Sequence, residues 1–473
     1  MNGRNDVRHE AVERAVALAG LELPEDADYE ILGEDPILSS PHHLGEGAAV
    51  ARLMTGVAAS EMWRTRTGKG QSLRVEAPHA AAALTSYAHV RLLDAEDPAA
   101  GTRLPAQRLL AGIVAARGGR HVQLHSSFND GPAILEELGL GEDATREDVE
   151  AAVGARDAFE LQAAFIDRKV CGGVVMSKEE WAEHPQGRAI AGWPVVKITK
   201  IGEAPIEPLT DGDRPASGVR VVDLTRVLAG PTCAKTLAEH GADVLHITAP
   251  HLDRASPFDI ETGIGKRQAS IDLNVAEQAE TMRGLIAEAD VFSQGYRLGT
   301  LARRGLDPET LAALRPGIVC VSENCYGHVG PWSERPGWEQ LGQAATGMSY
   351  REGIASSSGV PRLAPAAVND YSTGFFAAYG AMVALARRAI EGGSWLVQAS
   401  LSQTCMWYQR LGDDCNKERA NSGEVSNYLA EMETDHFGRI QYLRPALEMS
   451  VSEPRWDLPP APSGTHQPHW LPR

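Results

Sequence analysis

The stretch VRVVDLTRVLAGPTCAKTLAEHGADVLHI (residues 219–247) limits the possible folds more than any other part of the chain. Two runs rich in Val, Leu and Ile flank a short loop holding Gly230 and Pro231 and a segment of helical periodicity, which together spell a βαβ unit. A crossover of that length joins parallel strands, and the next strand then has to lie beside the first in one sheet. The alternation continues with strands expected at ASIDL (269–273), DVFSQ (290–294) and IVCVSE (318–323), and helices over 275–287 and 307–314. A doubly wound, mostly parallel, Rossmann-like α/β sheet accounts for the pattern. Its first turn lacks the G-x-G-x-x-G fingerprint, which argues against NAD or FAD.

Chemistry concentrates at AVNDYSTGFFAAYGAMVALARRAIEGGSWLVQAS (367–400). Ser372 and Thr373 read as capping residues, and Phe375, Phe376, Tyr379, Met382, Val383 and Leu385 recur at helical spacing after them. Asp370 thus stands just ahead of a long helix, where the macrodipole favours an ionised carboxylate able to attack an electrophilic carbonyl. On the residues alone, an Asp before a helix is most simply an Asx cap.

The segment GEGAAVARLMTGVAASEMW (45–63), a TGKGQ turn and the strand SLRVEA repeat the plan of 372–399. Aligning Val75 with Val397 places Ala48 opposite Asp370, with Glu46 two residues out of register, so one active carboxylate per chain is expected. Residues 106–205 alternate short strands, HVQLH (121–125) and VVKIT (195–199), with helices over 133–139, 145–153 and 157–168, as a small α+β unit. EAPIEPLTDGDRPASG (203–218) reads as a linker and carries the main boundary. The expected divisions are 1–30 (helix and acidic connector), 31–213 (the first partial copy with the small unit), 214–410 (the sheet and Asp370) and 411–473 (an irregular tail that wraps over the body).

A net charge of −18 disfavours nucleic acid as a partner, and an anionic ligand would need a local basic pocket. No apolar run reaches the roughly eighteen residues that a membrane span needs. The charged, amphipathic first residues lack a signal-peptide pattern, so a cytoplasmic location is expected. Six cysteines at 171, 233, 320, 325, 405 and 415 form no C-x-x-C pair and no zinc-like spacing along the chain, which predicts reduced, mostly buried thiols and no metal.

Five ordered motifs then carry a family resemblance: VVDLTRVLAGP (221–231) with GADV (241–244), GKRQASIDL (265–273), ADVFSQGYRLGTLARRGL (289–306), YGHVGPWSERPGWEQLGQAATG (326–347) and VNDYSTGFFAAYGAMVAL (368–385). They resemble the family III CoA-transferases, whose superfamily (CaiB/BaiF) includes carnitine and bile-acid CoA-transferases and the α-methylacyl-CoA racemases. The N-terminal block, with TGKGQ and WAEHPQGR (181–188), resembles the later part of the same family, so the chain reads as two incomplete tandem copies.

The resemblance implies that Asp370 attacks an acyl-CoA thioester to give an acyl-aspartyl anhydride and then an aspartyl-CoA thioester, with a small carboxylic acid as acceptor. Coenzyme A enters as substrate, and no further cofactor is implied. CoA would be held by Arg226, Val227, Leu228 and Ala229, by Tyr296, and by Lys266, Arg267, Arg297 and Arg303 at its phosphates. Gly295, Thr248 and Cys325 depart from the family's usual Asn, Glu and Gly. A homodimer is also implied. The racemase branch, which adds a histidine where this chain has Trp338 and Glu339, and a non-catalytic CoA-binding homologue are the alternative readings; His328 is the nearest histidine.

Overall fold

The computed structural model describes residues 2–99, 109–126, 130–252, 258–356, 358–416, 418 and 420–472, with side chains from residue 10 onward. The chain opens with α1 (Asn2–Leu18), β1 (Tyr29–Leu32), α2 (Leu44–Thr67), β2 (Leu73–Glu76), α3 (Ala77–Ala83) and β3 (Arg91–Leu92). Alanine and glycine on α2 let it lie close to its neighbours: a Cβ at Gly47 would stand 2.2 Å from Cε1 of Tyr408. The helix stops at Gly68, whose φ of 74° gives the left-handed C-terminal cap that glycine adopts without strain.

The small unit follows as β4 (Ala111–Ala115), β5 (His121–His125), α4 (Gly131–Leu138), α5 (Arg146–Gly154), α6 (Ala158–Asp167), β6 (Gly172–Val174), α7 (Lys178–Glu183) and α8 (Pro185–Ile190). Its three strands pair antiparallel in the order β4-β5-β6. The three long helices fall within two residues of expectation because Thr145 and Asp157 cap α5 and α6. Residues 106–108 of the expected unit lie outside the described residues. The unit has its own sheet but not its own core, since Leu124, Phe165 and Trp181 pack with Tyr326, Trp332 and Leu341 of the larger unit.

The large unit runs β7 (Val196–Gly202), β8 (Arg220–Leu224), α9 (Ala229–Glu239), β9 (Asp243–Thr248), α10 (Phe258–Gly263), β10 (Lys266–Ser270), α11 (Ala276–Ala287), β11 (Val291–Gln294), α12 (Pro308–Leu314), β12 (Val319–Asn324), α13 (Glu339–Thr346), α14 (Met348–Ile354), α15 (Val368–Glu391), β13 (Ser394–Ser400) and α16 (Leu401–Leu411). Its seven strands are ordered β10-β9-β8-β11-β12-β13-β7. All neighbours are parallel except β7, which runs antiparallel to β13. The first six follow the doubly wound order, with the reversal between β8 and β11. VVKIT therefore belongs to the edge of this sheet and not to the small unit, because alternation marks a strand without naming its partner. The strand expected at 269–273 is shifted to Lys266–Ser270, so Lys266 and Arg267 sit in a ladder instead of a loop.

The tail is more regular than expected: β14 (Leu429–Thr434) and β15 (Gly438–Leu443) make a hairpin that pairs with β3, and β16 (Glu448–Met449) pairs with β2. Beyond it the chain does wrap, as Trp456 Nε1 donates to the Lys235 carbonyl (3.0 Å) and Trp470 Nε1 to that of Leu285 (3.0 Å). The central core lies where α15 meets α2 and α9. Fully buried Trp407 locks α16 to α1 by donating from Nε1 to the Ala15 carbonyl (2.9 Å), and it meets Phe376 edge-on with ring centroids 5.1 Å apart. Truncating such a side chain to alanine costs about 3–5 kcal/mol. Among the described residues no helix is long and apolar enough to cross a membrane.

Candidate active site

Helix α15 begins at Val368, so Asp370 is its third residue instead of a residue ahead of it. Ser372 and Thr373 are then interior positions, and their hydroxyls bond to Tyr408 (2.8 Å) and Thr404 (2.7 Å) of α16. The expected caps are in fact helix-to-helix contacts. The N-terminal amides are satisfied from elsewhere: Glu339, the first residue of α13, accepts from the N–H of Asn369 on Oε1 (3.0 Å) and from that of Asp370 on Oε2 (3.4 Å). Gln343, one turn along α13, donates to Glu339 Oε1 (2.9 Å) and accepts from the Ala364 N–H (2.9 Å). Glu339, 4 % exposed, thus takes the anion seat that the helix dipole offers.

This changes the electrostatics at Asp370. Burial raises its pKa well above the ordinary carboxylate range, and the charge of Glu339, a hydrogen bond between the two carboxyls, and the charge of Glu323 raise it further. Burial also raises Glu339. Two adjoining carboxyls in such a setting resist ionising together, so the pair favours keeping one proton between them. Asp370 is ionised when that proton rests on Glu339. The dipole therefore does not simply ionise Asp370, as its place near a helix start had suggested; the seat nearest the amides belongs to its partner.

A third carboxylate links this pair to the sheet. Glu323, on β12, is pushed up to about 8 by burial and by Asp223, with Lys266 opposing. Among the described residues its Oε1 has no hydrogen-bond partner, and neither has either amide atom of the fully buried Asn369. Asp223, at the end of β8, is held below the usual range: burial opposes ionisation, but Lys266 (2.8 Å) and His246 (3.0 Å) outweigh it.

At the reversal between β8 and β11 lies a cavity of about 450 Å³. Loop residues Thr225, Arg226 and Val227, the β9 end at His246–Pro250, Lys266, Tyr296 and tail residues Phe437 and Ala461–Ser463 line it. Val227 has φ 72°, a left-handed conformation that a β-branched residue adopts only under strain. Gly374 connects the cavity loop to Asp370. It is four residues on, on the same helix face, and a Cβ there would stand 2.4 Å from the Ala229 carbonyl oxygen at the start of α9. Asp370 is thus about one turn, about 6 Å along the helix, from where α15 touches the end of that loop.

The sequence profile of CoA-transferase family III matches residues 216–462, more than half of the 473-residue chain. The chain belongs to CoA-transferase family III. An acyl-CoA transferase of Gibberella moniliformis is 34% identical over 310 residues, covering 61% of this chain and 54% of that protein. The succinyl-CoA–L-malate CoA-transferase β subunit of Chloroflexus aurantiacus is 31% identical over 202 residues, covering 40% and 50%. A CaiB/BaiF family crystal structure from Brucella suis shares 30% identity over 41% of this chain and 55% of that one, with a TM-score of 0.37. The chain thus spans about half the length of the curated relatives it matches.

In this family III chain the structure brings Asp370, Arg226, Val227, Lys266 and Tyr296 into the region just described, and it places the other site candidates elsewhere. Leu228 and Ala229 lead into α9 behind the cavity wall, with Leu228 buried. Lys266 is 1 % exposed, and its ammonium is engaged by Asp223 and by the Pro231 carbonyl (2.7 Å). Arg267 is on the opposite face of β10, with both Nε and Nη2 on Asp243 (3.0 and 2.8 Å), so strand alternation directs it away from the cavity. Arg297 and Arg303 are exposed and are not among the residues lining the cavity, and the charge of Arg297 reaches Asp130 and Cys171 of the small unit. His328 bonds Ser322 (3.0 Å) and is pushed down to about 4 by burial. Of the departures from the family pattern, Thr248 lines the cavity and Cys325 is buried with its Sγ on the Trp338 carbonyl (3.4 Å).

The chain's residues alone had not singled out Glu339, Glu323, Asp223 or His246 as a set. Glu339 was visible only as the occupant of a segment where the racemase branch has histidine. The small unit reaches the site through α13: the Met176 N–H donates to the Ala344 carbonyl (2.9 Å), and His125 stacks on Trp338 at 5.9 Å between ring centroids.

Proposed function

We propose that the chain transfers CoA from an acyl-CoA thioester to a free carboxylic acid, with Asp370 as the nucleophile and Glu339 as the residue that takes and returns its proton. The observation that carries this reading is the pairing of Asp370 with Glu339 at the head of α15, one turn from the contact with the cavity loop. A carboxylate is a poor nucleophile in water, and the half-buried setting of Asp370 strips part of its hydration shell.

The ionised Asp370 oxygen attacks the thioester carbonyl, the C–S bond breaks, and CoA thiolate leaves with the electron pair. The thiolate then attacks the Asp370 carbonyl of the mixed anhydride, releasing the first acid and forming an aspartyl-CoA thioester. An acceptor carboxylate attacks that thioester, and the displaced thiolate takes the new acyl group, which restores Asp370. The strained Val227 loop, Arg226 and Tyr296 fit a nucleotide end of CoA in the switch-point cavity, with the pantetheine arm running toward α15. A homodimer is part of the proposal, and light scattering on the active protein checks it.

The test is covalent trapping. Full-length protein is incubated with succinyl-CoA, alone and with L-malate, then with a wider panel of thioesters and acids, quenched with hydroxylamine and mapped by peptide mass. An adduct on residue 370 is expected. An adduct elsewhere, or proton exchange at the substrate α-carbon without CoA transfer, overturns the assignment; the latter outcome makes Asp370 a racemase base.

A further inference from the structure

A second group of reactive side chains gathers at the opposite partner of α15, the N-terminus of α2. Three segments far apart in sequence meet there: residues 35–37, 41–46 and 412–415. Asp35 holds the first in place, accepting from the N–H groups of Ile37 (3.0 Å) and Gly45 (3.1 Å) on Oδ1 and of Glu46 (2.9 Å) on Oδ2. The Cys415 N–H donates to the Pro41 carbonyl (2.9 Å), which fixes the third segment against the second. Gly412 permits this approach. With φ 142°, it leaves a space in which a Cβ would stand 3.0 Å from the His43 ring and 3.1 Å from Asp414 Oδ1.

The side chains that converge are chemically distinctive. His43 Nδ1 is 3.1 Å from Glu46 Oε2 and its Nε2 is 2.8 Å from Asp414 Oδ1. The Cys415 Sγ stands beside the same imidazole. One donor atom each from Asp35, His43 and Cys415 lies within 4.8 Å of the others, with all three residues half-buried. Next to them His42 is only 2 % exposed. Imidazole, thiolate and carboxylate are the donor types of tetrahedral zinc, whereas calcium and magnesium take oxygen ligands. Metal–ligand bonds of about 2.0–2.3 Å draw donors closer than this, so modest side-chain rotation completes the site.

We propose that Asp35, His43 and Cys415 bind a zinc-class divalent ion, with Asp414 or Glu46 as the fourth ligand. Binding releases the thiol proton and breaks one of the two imidazole–carboxylate contacts, the freed carboxylate being the one available to the metal. The ion ties the loop after α16 to the start of α2. It has no part in the transfer chemistry at Asp370, so its test stands apart from that of the enzyme activity.

The experiment is a titration of chelator-treated, full-length protein with Co²⁺, followed by Zn²⁺ competition. One Co²⁺ per chain is expected, with a thiolate charge-transfer band in the near ultraviolet and the visible bands of tetrahedral cobalt, both lost on adding one equivalent of Zn²⁺. Cys415→Ser should remove the charge-transfer band and His43→Ala should weaken affinity at least about 100-fold. Because the wild-type titration needs no variant, a folding failure in either substitution leaves the test intact. Absence of the band in the wild type, or a band that persists in Cys415→Ser, overturns the proposal and leaves the cluster as an ion-pair clasp around His43.

Discussion

The N-termini of α15 and α2 are built alike and differ in the charges around them. In each, a carboxylate from a separate segment accepts from the second and third amides of the helix: Glu339 from Asn369 and Asp370, Asp35 from Gly45 and Glu46. In each, the third helical residue is itself acidic. Matching the two helices by position from their first residue therefore pairs Glu46 with Asp370, whereas the register set by the following strands pairs Ala48 with it. The company differs. The charges acting on half-buried Asp370 are those of the buried Glu339 and Glu323, while Glu46, also half-buried, faces His43. The same capping device thus gives a proton-sharing pair at one end and an ordinary neutralised contact at the other. What separates the two acids is the sign of their neighbours.

The largest effect that tests this contrast is Asp370→Asn. Transfer should fall at least about 10³-fold, because an amide cannot form the anhydride, while stability changes by no more than about 1 kcal/mol, since Asn keeps the size of Asp and sets no second charge beside Glu339. Steady-state transfer assays and thermal unfolding read the two quantities. Glu339→Gln should cost roughly 10²-fold in kcat/KM through loss of the proton acceptor. It also carries a signed pH effect: removing the Glu339 charge lowers the raised pKa of Asp370, so the acid limb of the pH–rate profile moves to lower pH. An unmoved limb would break the pairing.

Glu323→Gln is expected to act on stability. The folded pKa of about 8 lies above the unfolded value of 4.5, so the native state holds the extra proton between them. Stability is then greatest below the unfolded value, declines as pH rises toward the folded one, and levels off above it. The Gln variant should lack this decline, gaining roughly 5 kcal/mol over wild type at alkaline pH relative to acid, by chemical denaturation at each pH. The smallest effect is that of Glu46→Gln, expected to change transfer by less than about twofold, because Glu46 lies outside the Asp370–Glu339 pair. A loss comparable to that of Glu339→Gln would show that the two helix ends share a function.

Much of this was legible before the fold was described. Hydrophobic runs with turn residues between them fix the alternation of β8 through β12, because backbone periodicity is a local property that a sequence displays directly. The ordered motifs place Asp370 at the head of a long helix for the same reason. What lay beyond the sequence is partnership. VVKIT is an evident strand, but only the sheet assigns it to β13. Lys266 and Arg267 are adjacent basic residues, and only strand alternation sends one to Asp223 and the other to Asp243. Glu339 meets Asp370 across 31 positions, and Cys415 meets His43 across some 370, so no spacing rule along the chain reveals either. Local conformation follows from neighbouring residues. Burial, proton sharing and ligand clusters depend on the distances between charges, and only tertiary packing sets those distances.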